Sequence, residues 1–431
     1  MCRRRKRVIL ALWLGAYSAL WYVLAPLAVL RLVLRGFAAP AYRAGWQQRF
    51  GWSVPAVPGC ILIHAVSVGE VQAAIPLISA LRLRYPNRPL VISTTTPGGA
   101  LRLKQAAGGL VAHVYAPYDL PGAVRRFVGR LRPRLLVIME TELWPNLICI
   151  TRRQGIPVVV ANARLSARSA RGYRYVSRLM SELLREVDLF ACQGPADVQR
   201  LIELGAAPGR VEVTGNMKFD LQWTEHECET AQTVLAMRDA GRPVWIVGST
   251  HRGEEEVVLD ALEQVRSTFP TCLLVIVPRH AERARRIADQ CRRRGHSVRL
   301  SSHAGRNLQA ATVLVVDTYG DLTAYYAACD VAFVGGSLVP LGGHSPIEPA
   351  AAGVPVLLGP HMFNFEAVTD GLVEQGAARR VTDAPTLAAG VLSFLESTEL
   401  RRSAGCHGRE LVERNRGAVG RVVSLLAPYL E

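Results

Sequence analysis

Three acids and a lysine in the first half of the chain stand where apolar runs end: Glu70 in "HAVSVGEVQ", Glu140 and Glu142 in "LLVIMETELWPNL", and Lys218 in "GNMKFD". A carboxylate at a strand end is a candidate general base, and an ammonium near it can neutralise charge developing on a reacting oxygen. Ser67 precedes Glu70 by three residues, so the pair also fits a capping box, and spacing alone leaves both roles open. As a base, Glu70 is expected to open a helix after a tight Gly69 turn and to be kept ionised by the helix dipole. A metal role for Glu140-Thr-Glu142 is an open but weak alternative, because no histidine cluster accompanies it and the chain has no DxD motif.

The second half offers different chemistry. "VGGSLVPLGGHSPIEPAAAGVPVLLGP", Val334 to Pro360, holds six glycines and one carboxylate, Glu348. Loop glycines that open onto a helix near Pro346 would expose backbone N–H groups to a phosphate, with Glu348 in the first turn free to accept from a ribose hydroxyl. Ser345 is the expected N-cap, and Ser345 with Glu348 also fits a capping box. "VPRH" places Arg279, a phosphate-pairing group, beyond one strand, and "DTYGDL" places Tyr319, Gly320 and Asp321 beyond the next. Three strand ends converging in this way point to a nucleotide pocket. No GxGxxG follows a strand and no GxxxxGK[ST] occurs, which disfavours dinucleotide dehydrogenases and P-loop enzymes.

Positioning these groups requires strands that end together. Apolar runs at 60–66, 90–94, 135–139, 158–162, 189–193 and 211–215 alternate with amphipathic stretches, and a second series occupies 244–249, 272–278, 312–317, 331–336 and 354–359. The polar segment 218–242 separates the two series. The expected architecture is α/β: two doubly wound, Rossmann-like domains facing a cleft, with ligands beyond the carboxyl ends of the strands. The boundaries are an anchor over 1–35, a first domain over 36–217, the connection 218–242 and a second domain over 243–431. At 431 residues, half of them apolar, the chain has ample material for two cores, and its nine scattered cysteines without a CxxC pair read as reduced thiols.

Charge is uneven. Residues 1–69 carry nine Lys/Arg and no acid, and "MCRRRKR" precedes a run uncharged from Val8 to Leu30, about long enough to span a bilayer. A retained membrane anchor is expected, either spanning or lying in the interface, rather than a cleaved signal peptide or a buried helix. Arg164, Arg168, Arg171, Arg174 and Arg178 have the spacing of one helix face, suited to an anionic membrane surface or a phosphorylated lipid, or else simply solvated. Nucleic acid is disfavoured, because no aromatic platform or zinc module accompanies the charge.

From "RGFAAPAYRAGWQQRFG" through "HAVSVGEVQAAIPL", "YAPYDLP", "METELWPNL", "ANARLSARSARGY", "GNMKFD", "GSTHRGEEE", "VPRHAER", "FVGGSLVPLGGHSPIE" and "LLGPHMFNF" to "LLAPYL", the chain resembles the bacterial 3-deoxy-D-manno-octulosonic acid (Kdo) transferases. The resemblance implies a GT-B glycosyltransferase of lipopolysaccharide synthesis at the cytoplasmic side of the cell inner membrane. It further implies a CMP-Kdo donor, a lipid A precursor as acceptor, and an inverting displacement that requires no metal. By resemblance Glu70 is the base, and Glu140 and Lys218 stabilise the transition state. CMP contacts map to Pro278 and Arg279, to Tyr319, Gly320 and Asp321, and to Ser345, Pro346, Ile347 and Glu348; the glycines admit the phosphate. The chain departs from the family pattern at Ser345, usually Asn, and at Tyr319, often Met. A GT-B-like epimerase and a noncatalytic membrane adaptor are the alternatives. An epimerase would have no need of the anchor, and an adaptor no need of Glu70.

Overall fold

The computed structural model describes residues 2–38, 43–220, 229–303 and 308–431. Side chains of residues 2–11, 31, 36 and 38 fall outside that description, as do residues 221–228 of the expected connection. The chain divides into two compact units, Met1–Leu221 with Arg416–Glu431, and Gln222–Asn415.

Each unit is built on one seven-stranded sheet in which all pairings are parallel. The first contains β1 (Ile61–His64), β2 (Leu90–Thr94), β3 (Ala112–Tyr115), β4 (Leu135–Met139), β5 (Val158–Ala163), β6 (Leu189–Cys192) and β7 (Val211–Val213), in the order β3-β2-β1-β4-β5-β6-β7. The second contains β8 (Val244–Thr250), β9 (Leu273–Pro278), β10 (Val298–Leu300), β11 (Val313–Val315), β12 (Val331–Val334), β13 (Val356–Leu358) and β14 (Ala378–Arg380), in the order β10-β11-β9-β8-β12-β13-β14. The fold is the expected pair of doubly wound domains. Central strands are continuous Val/Ile/Leu runs because helices cover both sheet faces. On the first sheet Leu62, Leu136 and Val160 point into one core, and Ile61, Ile63, Val137 and Val159 into the other.

Local chemistry sets where the helices start. Proline occupies the first helical turn at Pro97, Pro121, Pro145 and Pro195, where its missing N–H costs nothing. Ser67 caps the helix Val68–Arg84 by accepting from the Glu70 N–H, so Gly69 lies inside the first helical turn and forms no tight turn of its own. The arginine run does not lie on one helix. Arg168, Arg171 and Arg174 belong to the helix Ala167–Arg174, Arg164 precedes it, and Arg178 is on the next helix, Ser177–Leu184.

The final helix, Ala418–Leu430, belongs to the first unit. Val422, Leu426 and Leu430 join the core of Leu77, Ile78 and Leu81, and both carboxylate oxygens of Asp220 accept its first N–H groups, from Gly417 at 2.6 Å and Val419 at 2.5 Å.

Candidate active site

In the first unit, strand order reverses between β1 and β4, and the chain leaving these two strands carries Glu70, Glu140 and Glu142. Glu70 is only 7% exposed. Its Oε2 accepts from the Val66 N–H at 2.7 Å and its Oε1 from the Ser67 hydroxyl at 2.9 Å, so the residue caps its own helix and also brings a carboxyl to the strand ends. Burial, then the charge of Glu142 and that of Glu140, push its pKa up to about 8 against the Val66 and Ser67 hydrogen bonds. The helix dipole therefore does not keep it ionised at neutral pH: desolvation and like charges outweigh it.

Glu140 ends β4 with a backbone φ of +55°, a left-handed conformation that costs a non-glycine residue on the order of 1 kcal/mol. Its carboxylate pairs with Lys218 Nζ at 2.9 Å. Lys218 rides on a single 3₁₀ turn, Met217–Phe219, whose Asn216 cap accepts from the Lys218 N–H and whose Met217 N–H donates to Asn162 Oδ1 at 3.0 Å. Glu142 accepts from Trp144 Nε1 at 2.7 Å, and burial raises its pKa too.

Trp144, expected from the sequence to close the turn after Glu142, also meets a group the sequence did not point to: the ring of His64, edge-on at 4.6 Å, whose Nδ1 lies 2.9 Å from Ser93 Oγ. Burial lowers the His64 pKa to about 3, so the ring is neutral. The signal available in the sequence was a lone histidine at a strand end, which is indistinguishable from a core residue.

In the second unit the reversal falls between β8 and β12. Pro278 closes β9, and Arg279 follows half-buried, its N–H donating to the Thr250 carbonyl at 3.1 Å. Beyond β11, Tyr319 is exposed and donates its hydroxyl to Glu282 at 2.6 Å, Gly320 takes a φ of +104°, and Asp321 accepts from Thr318 Oγ1 at 2.6 Å. Beyond β12, Pro346 and Ile347 are buried while Ser345 and Glu348 are half-buried. Glu348 lies near enough to Tyr326 for its charge to add to burial in raising that hydroxyl's pKa.

Two expectations about this loop fail. Its helix is a five-residue turn, Ile347–Ala351, capped by Pro346 without a side-chain hydrogen bond, so Ser345 is no N-cap and no capping box forms. The glycines also have a reason that needs no ligand. Gly342 and Gly343 adopt φ of +92° and +72°, and a Cβ would come within 2.3 Å of Asn364 Nδ2 and 2.1 Å of Met362 Sδ respectively. The side on which each would carry a side chain is taken by the chain's own 362–364 segment.

Sequence reasoning also missed what holds the loops together. Glu254, fully buried at the start of the helix Glu254–Thr268, accepts from four N–H groups: His251 and Gly336 at 2.8 Å, Ser337 and Leu338 at 3.1 Å. Burial raises its pKa in opposition to those bonds. The only trace in the sequence is the acid run "GEEE" after a strand.

Residues 44–221 match the family described as 3-deoxy-D-manno-octulosonic-acid transferase (kdotransferase), and residues 250–411 match glycosyl transferases group 1. The chain is 38% identical to a 3-deoxy-D-manno-octulosonic acid transferase of Haemophilus influenzae, over 97% of this chain and 99% of that one. It is 35% identical to the Bordetella pertussis protein of the same name, over 96% and 99%. In fold it is similar to a crystal structure described as the glycotransferase of kitacinnamycin, with a TM-score of 0.58, 16% identity, and coverage of 87% of this chain and 100% of that one.

Proposed function

This chain belongs to the 3-deoxy-D-manno-octulosonic acid transferase family, a family of glycosyltransferases, and on that premise we propose that it moves Kdo from CMP-Kdo to a lipid A precursor with inversion of the anomeric carbon. Family membership leaves no place for the epimerase and adaptor alternatives. The observation that carries the catalytic reading is the Glu70 carboxyl, buried among two other acids with its pKa raised to about 8. A carboxylate destabilised in this way is a stronger proton acceptor than one in water, which suits a general base at a strand end.

Ionised Glu70 takes the proton of an acceptor hydroxyl as that oxygen attacks the anomeric carbon. The bond from that carbon to the phosphate oxygen breaks, and CMP leaves with the bonding electrons. A single displacement inverts the centre. The Lys218–Glu140 pair holds an ammonium at the strand ends to offset negative charge on the reacting groups, while Arg279 takes the departing phosphate and Glu348 the ribose. Pro278, Tyr319, Gly320, Asp321, Ser345, Pro346 and Ile347 complete the nucleotide contacts. No step calls for a metal.

The membrane side of the proposal rests on the helix Cys2–Ala38, which is apolar and long enough to cross a bilayer over Leu12–Arg35. Leu14 and Ser18, one turn apart, are buried against the first unit. Ser18 Oγ lies 3.3 Å from Asn146 Oδ1 and 3.2 Å from Asn146 Nδ2, and Asn146 in turn donates to the Asp119 carbonyl at 2.6 Å. Val23, Leu27, Leu30 and Phe37 are exposed. A spanning helix would have to carry these globular polar groups into lipid, so the helix serves as an interfacial anchor on the cytoplasmic side of the inner membrane.

Purified protein with CMP-Kdo and tetraacylated lipid A precursor, its products resolved by mass, tests the reading. The expected result is a product heavier by one or more Kdo residues in the presence of EDTA. Hydrolysis of donor without a heavier lipid would sink the acceptor assignment.

A further inference from the structure

At the strand reversal of the second unit stand two imidazoles that the mechanism has not used. His251 leaves β8 and His344 follows β12, and their rings stack within 3° of parallel at 5.2 Å, with Nε2 2.9 Å from Nε2. Both are locked. The His251 N–H is tied to Glu254 at 2.8 Å, the His344 N–H to the Gly335 carbonyl at 3.2 Å, and both rings pack over Gly336, where a Cβ would meet His344 Nε2 at 3.3 Å and His251 Cδ2 at 3.4 Å. His280 stands edge-on to His251 at 6.0 Å. Arg279 adjoins the pair, and among the described residues its guanidinium has no hydrogen bond or ion pair.

We infer that His251 and His344 together form the subsite for the carboxylate of the transferred sugar acid. The inference rests on the donor proposed above. An ulosonic acid carries its carboxylate on the anomeric carbon itself, so in the activated donor the carboxylate and the phosphate share one carbon. Whatever grips the phosphate must have the carboxylate's partner beside it. Arg279 is the uncommitted cation for the phosphate, and the imidazole pair is its neighbour. The hydrogen bond between the rings uses one of their two N–H groups and leaves one Nδ1–H to donate.

The pair is neutral. Burial, then Arg279, His251 and His280, hold His344 down to about 3, and burial, His280, Arg279 and Arg283 lower His251 against the pull of Glu255. Of the remaining acids here, Glu254 is occupied by backbone N–H groups and Glu255 is paired with Arg283 at 2.9 Å. Neutrality is useful at this position. The carboxylate's charge favours the positive charge that develops on the anomeric carbon as CMP departs, and a neutral donor orients it without cancelling that charge.

His344→Ala and His251→Ala test the assignment, with CMP affinity read by calorimetry and the donor KM read by transfer. Loss of a hydrogen bond to a charged group is expected to raise the CMP-Kdo KM about tenfold, leave the CMP Kd within about twofold, and give no further loss in the double variant. A CMP-Kdo analogue with an amide in place of the carboxylate should compete less well than the acid against the wild-type protein and equally well against His344→Ala. If His344→Ala unfolds, His344→Phe, which keeps a flat ring and removes its nitrogens, takes its place in the same comparison. Equal losses of CMP and donor affinity would give the pair to the phosphate, and an unchanged donor KM would remove it from the site. Either outcome overturns the inference. A wild-type protein that neither binds CMP nor turns over fails the function proposed above instead.

Discussion

At the strand reversal of the first sheet, β1 and β4 deliver three carboxyls, one of them paired with Lys218 from the turn after β7; at that of the second, β8 and β12 deliver two neutral histidines beside an arginine. The sheets are alike in size and direction, and the places are topologically the same. Open α/β sheets gather ligands at that point because neighbouring crossovers leave in opposite directions and leave a crevice. What differs is which charge is left uncompensated. Around Glu70, burial first and crowded acids second raise the energy of a carboxylate until it seeks a proton. Around Arg279, Glu254 is spent on backbone N–H groups, Glu255 on Arg283 and Glu282 on the Tyr319 hydroxyl, and among the described residues none of them pairs with the guanidinium. Fold supplies the place, and burial with the local ratio of acids to their partners decides whether it is suited to a base or to an anion.

Removing the charge of the first site should separate the two. Glu70→Gln retains a hydrogen-bond acceptor for the Val66 and Ser67 donors and removes the base, so kcat is expected to fall about 10²–10⁴-fold while the CMP Kd stays constant. Transfer at near the native rate would reduce Glu70 to a cap and shift attention to Glu140 and Glu142.

The second site should break through structure rather than through titration. Glu254→Gln replaces four acceptor sites with one oxygen and an amide that points its own N–H groups at N–H groups. Stability in urea is expected to drop by about 3 kcal/mol, with CMP binding weakened because the 336–338 loop, which leads into the nucleotide loop, loses its tether. An unaltered urea midpoint with unaltered CMP affinity would show that the loops hold their own shape.

The pH profile sharpens the contrast. With a pKa near 8, Glu70 is mostly protonated at pH 6, so kcat is expected to climb roughly tenfold per unit and level off above about 8. Stability should move the other way. The folded pKa lies above the unfolded 4.5, so the group's contribution is full below 4.5 and is lost as pH rises through 8. Glu142→Gln removes the leading charge behind the shift and should move the activity limb to lower pH. A limb unmoved in Glu142→Gln would assign it to another group.

The central strands, and the placement of Glu70, Glu140, Lys218 and Arg279 beyond strand ends, were legible in the sequence, because buried parallel strands are unbroken apolar runs whose ends are easily seen. The sequence concealed β3, β10 and β14, which lie at the sheet edges as "AHVY", "VRL" and "ARR", with side chains partly in solvent and no apolar run to mark them. β7, also an edge strand, was found through "VEVTG". In the sequence the glycines of 342–343 suggest room for a phosphate, and only the fold shows that Met362 and Asn364 give them a packing reason as well. The raised pKa of Glu70 was hidden for a related reason. It depends on burial and, next, on Glu142, a residue 72 positions away that the β1–β4 pairing brings near.

The smallest effect is expected at Tyr319, where this chain departs from the residue common in the family it resembles. Its hydroxyl donates to Glu282 at 2.6 Å and accepts from the Ala281 N–H at 3.3 Å, linking the loop after β11 to the loop after β9 that carries Arg279. Both loops are well solvated there, with Tyr319 58% exposed, so water replaces the lost partners and the link contributes about 1 kcal/mol at most. Tyr319→Phe keeps the ring, which is what a nucleobase would pack against, and removes only the link. The CMP Kd is then expected to change less than about threefold, whereas Tyr319→Ala, which takes the ring as well, should weaken CMP more than Phe does. A tenfold loss in Tyr319→Phe would mean that the hydroxyl positions Arg279, and the second site would depend on a tether at its rim as well as on Glu254 beneath it.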